Sequence, residues 1–391
     1  MTSRGRLRRA GVAAAVTMAP FALAWRFAHV YRTRAGYPRL HPPTMDPMDL
    51  GMPFEAVAIP TTDGLTLPGW WIPARGGVAG PAVVLVHGWE SGRHRTLPNA
   101  RFLHAVDYHV LTLDVRGHGS NPPEELPVSA GEFGADALAA VRAALARPDV
   151  TRVAVLGHSM GAAGAIIAAA AEPRVAAAVL TATPADPYRL TRQTFRLARL
   201  PIPDPIAVPL AWLTTRVYLE PRGHTVDAIS ATVAIRRYEG PILAIHGTDD
   251  RVVPLAHLGR LVAAARAARA TQAAQAARAG VGGRAARFGR AAPDVTAVES
   301  RPVETLVIPG GQHSWLYEFP EYRETVARFL ARALGGPLAP DDAARLAAAV
   351  EVRRPPDDER RFGILDELDS ATGRNVPSVP PPPEPAPARE A

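Results

Sequence analysis

The chain has 391 residues, 47% of them hydrophobic, which is enough for one domain of about 250–300 residues with appendages. Its 44 basic residues are all Arg, set against 37 acidic ones for a formal net charge of +7, and no basic stripe interleaves with aromatics, which argues against a nucleic-acid partner. With no Cys, disulfides, thiolate metal sites and a cysteine nucleophile are excluded.

Arg4, Arg6, Arg8 and Arg9 precede an uncharged run from Ala10 to Trp25 that Arg26 closes. As a helix this run reaches ~24 Å, short of a ~30 Å hydrocarbon core, although the flanking arginines with Trp25, Phe27 and Tyr31 extend it. Residues 1–35 are therefore expected to form an uncleaved anchor, with membrane association through residues 10–31. A cleavable export signal ending near Ala22-Leu23-Ala24 and an amphipathic arm are the alternatives. The expected location is membrane-associated or exported rather than cytoplasmic.

A Pro-rich linker spans residues 36–53. Phe54 to Ile59 and Leu65 to Ile72 then read as strands joined by the turn Thr62-Asp63-Gly64. From there strands and helices alternate. Ala82–His87, Val110–Asp114, Val153–Leu156, Val175–Thr181, Ile242–His246 and Thr305–Ile308 are short apolar runs, separated by helical patterns such as Arg93–Val106 and Glu132–Leu145. That rhythm predicts an α/β fold built on a mostly parallel eight-stranded sheet with helices on both faces. Residues 187–238, rich in Pro and Arg with amphipathic pieces, read as a helical lid over the C-terminal ends of the strands. The Ala/Arg-biased stretch 263–292 reads as a low-complexity insertion. Residues 335–391 read as a disordered, acidic, Pro-rich tail with a short helix at Asp341–Val350.

The chemistry gathers at strand ends. Gly157-His-Ser-Met-Gly161 joins a strand to an Ala-rich helix, and such a turn forces Ser159 into a strained conformation with its hydroxyl exposed. It also leaves the Met160 N–H free at a helix N-terminus. A hydroxyl nucleophile needs a base, and Val307-Ile-Pro-Gly-Gly-Gln-His313 supplies His313 just past the last strand. The base needs an acid, and the loop His246-Gly-Thr-Asp-Asp-Arg-Val-Val-Pro254 offers Asp249 or Asp250, with Asp186 as a third candidate. His87-Gly88-Trp89 lets the chain fold over the site so that the Trp89 N–H joins that of Met160 as an oxyanion hole. In Asp114-Val-Arg-Gly-His-Gly119, Asp114 and Arg116 are expected to shape the loop. His118 and His158 are read as loop-packing residues.

In order and spacing these motifs resemble the α/β-hydrolase superfamily, most nearly its membrane-anchored bacterial esterase/peptidase-like branch, over residues 54–334. The resemblance implies the α/β-hydrolase fold, Ser159 as nucleophile, His313 as base, Asp250 rather than Asp249 as acid, and Trp89 and Met160 as backbone donors. It implies no metal and no cofactor. The one departure is the spacing from Asp250 to His313, about twice what a loop, helix and strand need, for which the insertion at 263–292 accounts. The expected function is a serine hydrolase of the carboxylesterase/lipase type, cleaving carboxylic esters through an acyl-enzyme. An apolar lid carrying Phe195, Trp212 and Leu213 suggests an acyl-chain or lipid ester. Aminopeptidase-like, thioesterase or acyltransferase activity would use the same residues. A catalytically idle, membrane-tethered binding protein is the reading from another class.

Overall fold

The computed structural model describes residues 3–281 and 302–356. Eight strands form one sheet: β1 (Glu55–Pro60), β2 (Thr66–Ile72), β3 (Gly80–Val86), β4 (His109–Leu113), β5 (Val150–His158), β6 (Val175–Thr181), β7 (Ile242–Gly247) and β8 (Val303–Ile308). Their order is β1-β2-β4-β3-β5-β6-β7-β8. β1 and β2 are the expected hairpin, β2 lies antiparallel to β4, and β3 through β8 run parallel.

Alternate residues of each parallel strand enter opposite cores. Ala82, Val84 and Val86 face one side of the sheet, Val83 and Leu85 the other, and β5 divides Val153 and Val155 from Ala154 and Leu156 in the same way. The first side is covered by α3 (Ala130–Leu145), α4 (Met160–Ala171) and α7 (Ala231–Arg237), and the second by α2 (Leu97–Ala105) and α9 (Pro320–Leu334). Because both faces are dry, the strands read as unbroken apolar runs. α3 begins earlier than its hydrophobic pattern suggested. Ser129 and Glu132 close a capping box at its start, the Ser129 side chain accepting from Gly131 N at 3.1 Å. Pro98 stands in the first turn of α2, and the preceding Arg93–Thr96 forms a 3-10 turn, so the expected helix is shorter at its start.

Between β6 and β7 the chain forms α5 (Pro187–Leu197), α6 (Asp204–Leu219) and then α7, the helical insertion expected as a lid. α1 (Ser3–Ala35) is longer than the apolar run that predicted it. The expected membrane-spanning helix is corrected here: among the described residues no helix is long and apolar enough to cross a membrane. Arg26, His29, Arg32 and Arg34 break the apolar character of its second half, which docks on the lid instead. Phe27 and Tyr31 meet the Phe195 ring edge-on, and Tyr31 Oη pairs with Thr194 Oγ1 at 2.9 Å. Tyr218 Oη in turn donates to Ala35 O at 3.2 Å. Phe195, expected to face substrate, is thus buried against α1.

α8 (Ala256–Val281) runs on through most of the expected insertion, of which residues 282–292 lie outside the described residues. The short helix expected at Asp341–Val350 is present, though it is packed on the body of the fold rather than set in a disordered tail. α10 (Pro340–Ala349) packs Ala343 and Ala347 into the core against α9, and the Arg323 guanidinium donates to Ala347 O and Ala348 O. Residues 357–391 of the expected tail lie outside the described residues.

Candidate active site

The strand order reverses beside β3: β4 lies on one side of it and β5 on the other, so the loops leaving β3 and β5 adjoin at the carboxyl edge of the sheet. Both carry site residues. β5 ends in His158, and Ser159 follows with φ 53 and ψ −121, a left-handed conformation costly for any residue with a side chain. The turn is that tight because α4 starts directly beneath it. A Cβ on Gly157 would lie 2.4 Å from Gly161 O, and one on Gly161 would lie 2.1 Å from His87 O. Glycine at both positions is therefore a steric requirement.

Ser159 Oγ donates to His313 Nε2 at 2.9 Å, and His313 Nδ1 donates to Asp250 Oδ2 at 2.8 Å. The three expected triad residues thus lie in one hydrogen-bonded row. His313 is carried by the turn after β8, where Gly310 takes φ 70. Asp250 follows β7, and its side chain is fully buried. Its Oδ1 accepts from Val252 N at 3.0 Å and Val253 N at 2.8 Å. Burial opposes ionisation of this carboxyl. The His313 charge outweighs that, with hydrogen bonds from His246, His313 and Val253 N, and holds Asp250 well below the ordinary carboxylate range. Asp249 points to solvent and accepts from Thr248 Oγ1 at 2.9 Å, so the two adjacent carboxylates separate as pleat geometry demands. Asp186 is engaged within the lid, by Ser230 Oγ at 3.2 Å and Arg189 at 3.2 Å.

Trp89 and Met160 flank the row, the first on the loop after β3 and the second at the N-terminus of α4. Among the described residues neither amide N–H has an acceptor, so both are free to meet an oxyanion.

Three histidines around this centre do more than fill space. His87 Nδ1 donates to Gly88 O at 2.7 Å while Nε2 accepts from Val115 N at 3.0 Å, tying the His87-Gly-Trp loop to the loop after β4. His158, read from sequence as loop packing, donates from Nε2 to His313 O at 2.8 Å and so fixes the backbone at His313. His246 was not singled out by sequence reasoning. Its Nε2 lies 2.7 Å from Val253 O and 3.2 Å from Asp250 Oδ2, which gives the acid a further donor. The signal was present in the spacing His246-x-x-x-Asp250, which returns the chain to the same strand end. Burial pushes His87 down to about 3 and His158 down to about 4, so both are neutral donors at physiological pH.

The Asp114-x-Arg-Gly-His-Gly loop is a scaffold next door. Asp114 accepts from Arg93 N at 2.6 Å and Ser120 N at 2.9 Å. Arg116 bridges buried Asp136, at 2.6 Å, and Asp63 of the first hairpin, also at 2.6 Å. His118 donates to Arg116 O at 2.9 Å and packs between Trp89 and Phe133. Among the described residues no group of three or more His, Asp and Glu side chains is arranged to hold a metal ion.

Residues 79–224, from β3 to the end of α6 and just beyond, match the family model described as serine aminopeptidase, S33. The fold is similar to that of an esterase from Pyrococcus furiosus, with a TM-score of 0.56 and 22% identity over 76% of this chain and 97% of that one. The chain has the α/β-hydrolase fold. Within that fold it is also similar to the acylaminoacyl peptidase of Pyrococcus horikoshii, with a TM-score of 0.52 and 15% identity over 75% of this chain and 44% of that one. An uncharacterized protein of Mycobacterium tuberculosis is 34% identical over 211 residues, which are 54% of this chain and 66% of the relative. The match thus spans just under two thirds of that relative's length. As is general for open α/β sheets, the candidate site occupies the edge of the sheet where the strands end.

Proposed function

We propose that this α/β hydrolase is a serine hydrolase that cleaves carboxylic esters through an acyl-enzyme. The observation that carries the reading is the hydrogen-bonded row from Ser159 through His313 to Asp250, with the serine held in a strained turn. In the first half-reaction Ser159 Oγ bonds to the ester carbonyl carbon as its proton passes to His313 Nε2, and the oxyanion takes the Trp89 and Met160 N–H groups. Collapse of this intermediate breaks the bond to the alcohol, which leaves with the proton from His313. Water then attacks the acyl carbon, His313 takes its proton, and the acid departs as Ser159 recovers a hydroxyl. Asp250 keeps His313 in the tautomer with Nδ1 protonated and stabilises the imidazolium between these transfers. The family description and the esterase and peptidase neighbours support hydrolysis of an acyl bond but not a choice of ester over amide. Aminopeptidase-like cleavage is therefore the second reading.

The test is covalent labelling with a fluorophosphonate. Labelling is expected in the native chain and in Ser378→Ala, and its loss is expected in Ser159→Ala. An unlabelled native chain would leave a binding protein on an idle hydrolase fold. Turnover of p-nitrophenyl esters against aminoacyl p-nitroanilides then separates ester from amide cleavage.

A further inference from the structure

Beside Trp89 lies a cavity of about 60 Å³ whose wall includes Gly88, Trp89, Ser91, Asn99, His158 and Trp315. Its wall passes close to the nucleophile: it includes His158, the neighbour of Ser159, and Gly88, where an added methyl group would stand 3.4 Å from Ser159 Cβ. Its inner end is buried and polar. Thr181 Oγ1 lies 3.4 Å from Tyr322 Oη, which donates to Asn99 Oδ1 at 3.1 Å. With that oxygen engaged, the Asn99 amide N–H groups are left as donors, and no residue among those described accepts from them. Leu85, Leu156 and Leu316 supply the apolar sides. Arg95 is the one charged group on the wall among the described residues; no carboxylate lines it, and His87 and His158 are neutral.

We propose that this cavity is the acyl subsite, and that it takes a short acyl group ending in a hydrogen-bond acceptor, such as a keto oxygen, which Asn99 Nδ2 binds. This rests on the serine-hydrolase reading and narrows it. A recess walled by Gly88, Trp89 and His158 suits the part of the substrate that stays bonded to Ser159, whereas the alcohol must leave toward solvent. Size sets the chain length. One water needs about 10–15 Å³ on this measure, so the cavity holds about five such groups beyond the carbonyl carbon. Charge sets the class. A free α-ammonium finds no carboxylate here and faces Arg95, so an N-terminal amino acid is a poor occupant.

The experiment compares kcat/KM for p-nitrophenyl butyrate, pentanoate, 4-oxopentanoate and octanoate, with fluorophosphonate labelling in parallel. In the native chain, butyrate is expected to exceed octanoate by more than about tenfold, and 4-oxopentanoate to exceed pentanoate by about fivefold, the worth of one neutral hydrogen bond. Asn99→Leu removes the donor, and the ratio of 4-oxopentanoate to pentanoate should fall to about one. Asn99→Asp keeps the acceptor for Tyr322 while removing the donor, and should lose the ratio too. It serves as the readout should Asn99→Leu not fold. Octanoate turned over as well as butyrate overturns the proposal, as does a keto preference that survives in both variants. Absence of labelling in the native chain overturns the serine-hydrolase reading itself, so the two failures are distinguishable.

Discussion

At the scale of single residues, the candidate site is a set of protonation states held by burial. Asp250 stays ionised because His313 and the donors around it outweigh its desolvation. Replacing it with Asn keeps the volume and removes the charge that selects the Nδ1–H tautomer. Asp250→Asn should therefore lower kcat by about four orders of magnitude while the chain still folds, measured by ester turnover beside circular dichroism. The buried histidines predict a pH dependence of stability. Burial lowers His87 and His118 to about 3 and His158 and His257 to about 4. In the unfolded chain each takes a proton near pH 6.5, whereas in the folded chain it does not until the lower value. Their contribution is complete above pH 6.5 and is lost as pH falls through the window toward 4, at roughly 1.4 kcal/mol per pH unit for each group. Thermal melts at pH 7, 6 and 5 should show a progressive fall. A midpoint that holds steady over that range would contradict the neutral, buried assignment.

At the scale of elements, the tight joint between β5 and α4 and the docking of α1 invite separate tests. Gly161→Ala puts a methyl group 2.1 Å from His87 O, where rigid backbone must move. It should cost about 1–3 kcal/mol in overpacking and displace the Trp89 loop, so activity falls further than stability alone accounts for. α1 predicts a contrast between two truncations. Removing residues 3–20 leaves the contacts of Phe27, Tyr31 and Arg32 with the lid intact. Removing residues 3–35 uncovers Phe195 and takes away the Ala35 carbonyl that accepts from Tyr218. The longer deletion should lower the melting temperature and raise the proteolysis rate across residues 187–222, while the shorter one should leave both unchanged. Equal behaviour of the two would show that the docked half of α1 does not support the lid.

At the scale of the whole molecule, the C-terminal helix belongs to the body that carries the sheet. α10 packs against α9, and the buried Arg323 guanidinium touches no carboxylate among the described residues but donates to four carbonyls, of Tyr317, Glu318, Ala347 and Ala348. Ending the chain at Leu334 strips two of these acceptors from a buried cation. It should cost about 2–4 kcal/mol in denaturant melts, which no passive tail would do.

The amino-acid sequence alone determined those features whose physics is local. Gly157 and Gly161 around Ser159 specify a strand-to-helix turn, because only adjacent residues decide whether backbone can pass that close. The apolar runs from Ala82 to Ile308 specify parallel strands, because a strand buried on both faces has no polar position to spare. Tertiary structure alone decided what depends on partners distant along the chain. Residue types alone left Asp249 and Asp250 open and only the motif resemblance favoured Asp250; the contact of Asp250 with His313, 63 residues on, exists only in the folded chain. His158 became a donor to the backbone of His313, 155 residues on, through a contact that no spacing within one motif records. Phe195 is turned away from the site because Phe27 and Tyr31 of α1, far earlier in the chain, pack against its ring. Hydrophobicity sets how much surface is buried; which surfaces meet is settled only when the whole chain has closed around them.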